Sequence, residues 1–231
     1  MIRPIAKTAR TAIPAAIALL GIILVPTASP AAGEEQPDPA TRWIAHSVGC
    51  FGKVRTLEAD FTQEVIHRLD GHAEVARGKL QLRRGRRLRM DYESPRASLL
   101  VSDGERVRAW NPETRTVHEG PARGTLVARA IAFALDGGGS SDFATRWLGG
   151  DAAPGSGKRG VVELRPQPES ELASRIVITL SGDCPSLERV TIVDRAGTAT
   201  RLTLANQKLG RAIPAGRFAF TPPPGAKIVK P

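Results

Sequence analysis

The feature that most limits this chain is an alternation of apolar and polar residues, broken every few residues by turn formers. In "RRLRMDYES" Leu88, Met90 and Tyr92 alternate with Arg87, Arg89 and Asp91. A period of two puts one set of side chains on each face of a strand, so it specifies a half-buried antiparallel strand rather than a helix. The same rhythm runs through "FTQEVIHRL", "EVARGKLQLRR" and "LLVSDGERVRAWNP". In the last of these Asp103-Gly104 reads as a hairpin turn and Asn111-Pro112 as a stop. "RTVHEG" continues the meander, and "GVVELRP", "SRIVITLS", "LERVTIVD", "ATRLTLANQ" and "GRFAFTPP" add five further strands. Gly and Pro, 23 and 18 of 231 residues, match many short strands joined by turns.

Three stretches depart from that rhythm. Residues 1–31 have basic Arg3, Lys7 and Arg10 followed by the apolar run "IPAAIALLGIILV" and small residues up to Ala31. That is the pattern of a signal peptide cleaved after Ala31, and the run is short for a membrane span. No Cys lies beside the cleavage site to take a lipid anchor. Residues 32–40 form a polar linker, and residues 41–231 are read as one domain. It opens with an amphipathic helix carrying Trp43, Ile44, Val48 and Phe51. In mid-chain, "TLVARAIAFALDGG" is Ala-rich and helical, with Leu126, Ala130, Phe133 and Ala134 on one stripe. "SSDFATRWLGGD" is read as a second helical piece, capped by Ser140 or Ser141 and burying Phe143, Trp147 and Leu148.

The reading so far is a curved antiparallel sheet with a helix before it and a helical insertion within it. Such a sheet encloses an apolar space, which is either a packed core or a ligand pocket. Periodicity does not separate the two, and packing is the commoner case.

Charge and motif content exclude several functions. The formal charge is +10, part of it in the exported leader. No Lys/Arg run interleaves with aromatics, so nucleic acid is not an expected partner. "RRGRRLR" reads first as a solvated strand edge and turn, and second as a patch for an anionic partner or membrane surface. His46, His67, His72 and His118 form no metal-binding pattern, and "GGGSSDF" lacks a nucleophile elbow. No enzyme, metal or cofactor is expected. Cys50 and Cys184 lie outside any CxxC pair; an oxidising compartment permits a disulfide between them, and spacing alone leaves that open.

"EADFTQ", "LRMDYESP", "LLVSDGERVRAWNP" and "FAFTPPPG" occur in this order across nearly the whole of residues 42–231. Together they resemble the LolA family of periplasmic outer-membrane lipoprotein carriers. The resemblance implies an α+β, mainly β fold: an incomplete antiparallel β-barrel with an N-terminal helix and a helical lid. It implies a monomer that takes lipoprotein acyl chains into a cavity. Cargo would come from an inner-membrane ABC-type release complex and pass to an outer-membrane receptor. A lid latch falls on Arg84, followed by Gly85 where the family often has Pro. Cavity candidates on the sheet are Leu80, Leu82, Leu88, Met90, Tyr92, Leu99, Val101, Val107 and Ala109. Their lid counterparts are Leu126, Ile131, Phe133, Phe143, Trp147 and Leu148. Met90 stands where Trp is common, and "VRAWNP" replaces a more aromatic run. The alternative is a lipid- or lipoprotein-sensing regulatory module of the same fold.

Overall fold

The structure, a computed structural model, describes residues 37–230 except 54, 70, 123–129, 132, 134–142 and 168–173. The leader, most of the Ala-rich stretch and Leu126 therefore lie outside the described residues.

The chain enters through α1 (Pro39–Gly52). Asp38 starts it: its carboxylate accepts from the Ala40 and Thr41 amides, and Pro39 occupies the first turn, where its missing N–H costs nothing. The Thr41 hydroxyl also donates to it, and these bonds hold the Asp38 carboxyl below the usual carboxylate range despite some desolvation. The buried side of α1 carries Ala40, Trp43, Ser47, Cys50 and Phe51.

Twelve strands follow among the described residues: β1 (Thr56–Ile66), β2 (Ala73–Arg83), β3 (Arg87–Ser94), β4 (Ser98–Asp103), β5 (Arg106–Asn111), β6 (Thr116–Pro121), β7 (Phe143–Gly150), β8 (Arg159–Pro166), β9 (Arg175–Ser181), β10 (Leu187–Val193), β11 (Ala199–Leu209) and β12 (Lys227–Val229). They form one sheet in the order β12-β6-β5-β4-β3-β2-β1-β11-β10-β9-β8-β7. All neighbours are antiparallel except β12, which runs parallel to β6. The sheet is open, with β7 and β12 at its edges.

Strand register fixes which side chains share a face. Leu80 lies opposite Met90, Met90 opposite Leu100, and Leu100 opposite Ala109. On the other side of β1, Leu202, Val190, Ile178, Val162 and Trp147 form a corresponding row. Residues from both rows meet in one core cluster. Strands so far apart in the sheet can share a core only if the sheet curls around it. This is the inner face, and α1 packs on it over β7 and β8.

Two stretches read from sequence as other elements are corrected here. Residues 143–150 are not a helix but the edge strand β7. Phe143 and Trp147 are four apart, a spacing that puts two residues on one face in either period. "GRFAFTPP" is not a strand: Ala215–Phe218 is a single 3-10 turn, and the chain runs on as a strap across the outer face of β3 and β4. Three consecutive prolines, Pro222 to Pro224, withhold the amide donors a ladder would need. Phe218 is buried under the strap, and the Phe220 ring lies tilted against Trp110, centroids 6.4 Å apart.

Gly160 on β8 is where helix and sheet come closest. A Cβ there would lie 2.5 Å from two carbons of the Trp43 ring. Trp43 is fully buried, and its Nε1 donates to the Asp151 carbonyl at 2.7 Å, so the ring has no slack. Gly160→Ala is expected to destabilise the chain by about 1–3 kcal/mol through overpacking. Urea denaturation checks this, and Gly216→Ala, where a Cβ meets open space, is the control.

Candidate functional site

The inner face is an apolar surface built by alternation. From β2 and β3 it takes Leu80, Leu82, Leu88 and Met90, all buried. Tyr92 continues the row of β3: its ring meets Phe61 edge-on at 5.0 Å, and its hydroxyl donates to Gln63 Oε1 at 2.9 Å. Burial pushes the Tyr92 phenol up to about 12, so it stays a neutral donor. Phe61 lies opposite Gly78, where a Cβ would come within 3.0 Å of its ring. Val107 and Ala109 extend the face onto β5.

Leu99 and Val101 do not belong to it. Leu99 pairs with Trp110 and Val101 with Arg108, which places both on the outer face, the one crossed by the C-terminal strap. Leu100 takes the inner position instead. Three consecutive apolar residues, Leu99 to Val101, offer no alternation from which to read the face.

Of the expected lid residues, Ile131 and Phe133 are helical, buried and part of the core cluster. Phe133 meets Phe143 edge-on at 5.3 Å. Phe143 and Trp147 reach the same cluster from the sheet rather than from a lid. Leu148 follows Trp147 at a bulge and is 41% exposed.

The covering is uneven. Toward β8, β9 and β10 the inner face is closed: Val162, Leu164, Ile176, Ile178 and Leu180 are fully buried. Toward β4, β5 and β6, Leu100 and Ala109 are half-buried and His118 is exposed. Trp147, at the opposite edge, is also half-buried. The apolar surface therefore reaches solvent at its margins.

Several contacts fasten α1 to the closed half, among them Arg42 donating to the Ala152 carbonyl. Cys50 and Cys184 are joined in a disulfide with Cα atoms 5.7 Å apart, within the usual span. The buried Ser186 and Ser47 hydroxyls are bonded at 2.7 Å. Trp43 hangs from the Asp151 carbonyl. His46 Nε2 stands 3.6 Å from Cys50 Sγ, but both sulfurs of this cluster are spent in the disulfide and offer no thiolate to a metal.

Arg84 sits in the three-residue turn between β2 and β3. Its Nη2 would be 3.6 Å from a Cβ at Gly52, the last residue of α1, where helix carbonyls favour a cation. Its amide donates to the Arg55 carbonyl. Gly85 has φ +86°, a conformation closed to Pro. The turn thus departs in geometry, as well as in sequence, from one with Pro there.

The outer face carries ion pairs. Glu163 is 1% exposed and accepts from both Arg146 and Arg165. Burial would raise its carboxyl, but the two guanidinium groups overcome that and hold it below the usual range.

Comparison with known proteins adds to this geometry. Residues 52–221 match the family model described as "Outer membrane lipoprotein carrier protein LolA". An outer-membrane lipoprotein carrier protein of Chromobacterium violaceum is 28% identical over 210 residues, 89% of this chain and 96% of that one. Another, from Dechloromonas aromatica, is 29% identical over 175 residues, 76% of this chain and 81% of that one. An uncharacterised conserved protein of Thermus thermophilus shares the fold with a TM-score of 0.51 at 13% identity, over 81% of this chain and 97% of that one.

Closing a loop of 134 residues, the disulfide restricts the unfolded chain strongly. Replacing both cysteines by serine is expected to lower stability by about 2–4 kcal/mol. Chemical denaturation of the oxidised and double-variant proteins measures it; equal midpoints would show that α1 is held without the bond.

Proposed function

The chain belongs to the LolA family of outer membrane lipoprotein carrier proteins, and we propose that it carries lipoproteins by taking their acyl chains against the inner face of its sheet. The observation that carries this reading is the apolar inner face running from β5 through to β7, with half-buried Ala109, Leu100 and Trp147 at its margins. Acyl chains cannot cross an aqueous compartment bare, since each methylene removed from water is worth about 0.8 kcal/mol. In the structure the inner face is filled by its own side chains and by Ile131 and Phe133. Loading therefore displaces apolar cover, and the net affinity is the difference between two similar burials. That difference suits a carrier, which must hold its cargo and also release it.

In this proposal residues 1–31 direct export and are removed, and residues 41–231 act as a monomer in the periplasm. The segment containing Ile131 and Phe133 acts as the lid, with Arg84 as its latch beside the end of α1. Lipoprotein is received from an inner-membrane ABC-type release complex and handed to an outer-membrane receptor. Leu80, Leu82, Leu88, Met90, Tyr92, Val107, Ala109, Phe143 and Trp147 form the acyl-contacting wall. The work is binding and release, with no bond made or broken.

A fluorescent triacylated lipopeptide, mixed with the mature chain and passed through a sizing column, tests the reading. It should co-elute with the protein, while the same peptide without acyl chains should not. Trp147→Glu, at the margin, should lower the retained fraction while circular dichroism shows the chain still folded, and Arg84→Leu should alter how long the cargo is held. Equal retention of the deacylated peptide, or no co-elution of the acylated one, would contradict it.

A further inference from the structure

Most arginines on the sheet have a carboxylate. Arg89 pairs with Asp91, Arg108 with Glu119, Arg159 with Glu188 and Arg201 with Glu64. One end of the sheet breaks that habit. It gathers the end of α1, the start of β1, the turn from β2 to β3 and the chain leaving β11. Hydrogen bonds hold these pieces together: Arg84 N to Arg55 O and Gly210 N to Thr56 O along the backbone, and the Thr56 hydroxyl to Arg211 O. Arg83 lies opposite both Thr56 and Arg87 in the ladder. Lys53, Arg55, Arg83, Arg86 and Arg211 are thereby brought to one rim. Among the described residues none of the five has a side-chain ion pair.

The rim is built stiffly. Arg55 and Arg86 have φ of 62° and 61°, and Gly85 has φ +86°, so tight turns rather than long loops present the charges. In the adjoining β4–β5 turn the Asp103 carboxylate is occupied: it accepts from the Glu105 and Arg106 amides and pairs with Arg108. Holding like charges together in the free protein is unfavourable unless something else neutralises them.

We propose that this arginine rim docks the protein on the anionic headgroups of a phospholipid bilayer. The composition of the rim favours a bilayer over a protein partner. Protein interfaces are centred on buried aromatic or aliphatic anchors. The large apolar side chains exposed among the described residues are Leu69, Val75, Leu148 and Ile228, and none is on this rim. Headgroup binding needs no such anchor, because each basic residue near an anionic surface contributes on its own. The proposal is independent of cargo binding and would hold or fail without altering that reading.

Vesicle flotation tests it, with the mature chain and vesicles of either phosphatidylglycerol mixed with phosphatidylethanolamine or phosphatidylcholine alone. The chain should float with the anionic vesicles and not with the neutral ones. Binding should be lost between ~0.1 M and ~1 M NaCl, as the screening length shrinks from about 10 Å to about 3 Å. The triple variant Arg55→Glu, Arg86→Glu, Arg211→Glu should weaken binding by roughly tenfold or more. Arg68→Glu with Arg175→Glu, at the other end of the strands, should weaken it far less. Circular dichroism of each variant verifies folding; if the triple variant does not fold, the glutamine forms replace it with the same expectation. Equal flotation on neutral vesicles, or equal loss in the two sets of variants, would overturn the proposal. So would no flotation together with salt-sensitive binding to polyglutamate, which would assign the rim to an acidic protein.

Discussion

The structure depends on keeping one face of an open sheet out of water. Alternation along β1 to β11 collects leucine, isoleucine and valine on that face, and a sheet that does not close its edges leaves it uncovered. Curling brings strands from both halves to a common core, but the ends and margins still need cover. On one side α1 supplies it, and the helix is fitted rather than merely laid down. Gly160 leaves room for the Trp43 ring, Ser47 and Ser186 satisfy each other in a buried place, and the disulfide fixes the last turn to the β9–β10 connection. A buried hydroxyl without a partner would be costly, so that pair also sets the position of the helix.

The outer face is divided between two solutions. Over β7 to β11 it is polar and held by ion pairs such as those of Glu163 and of Glu64 with Arg201. Over β4 to β6 it has an apolar strip of its own, with Leu99, Val101, Trp110 and Val117, and the C-terminal strap lies against it. Arg217 ties the strap down by donating to Gln81 and Asp91. Arg115 donates to the Pro224 carbonyl where the strap turns into β12. β4 thus meets apolar neighbours on both faces, the core within and the strap without, which explains why it lacks the clean alternation of β3.

That double cover accounts for much of what was legible in the sequence and what was not. Strands with one polar face, such as β3 with Leu88 and Met90 alternating with Arg89 and Asp91, could be read with their inward side chains correctly assigned. Leu99 and Val101 could not, because a strand covered on both faces shows an apolar run and hides its parity. Phe143 and Trp147 fell into a different ambiguity: their spacing fits helix and strand alike, and only the pairing of β7 with β8 decides. The disulfide could be proposed from compartment but not fixed, since it depends on α1 reaching the β9–β10 turn across 134 residues. Nor did the rim of arginines show in full. "RRGRRLR" supplies only part of it, while Lys53, Arg55 and Arg211 arrive from other segments.

The uneven cover also connects fold to function. The half under α1 is fastened by a covalent bond and close packing, whereas Leu100, Ala109 and Trp147 at the margins are only half-buried. An acyl chain would enter where displacement costs least. Native mass spectrometry of the protein taken from a periplasmic extract, followed by denaturation and analysis of what is released, tests this account most directly. The account predicts a one-to-one complex with an acylated polypeptide. A clean mass for the chain alone, with no binding of an apolar probe, would mean that the interior is only a core and would contradict it.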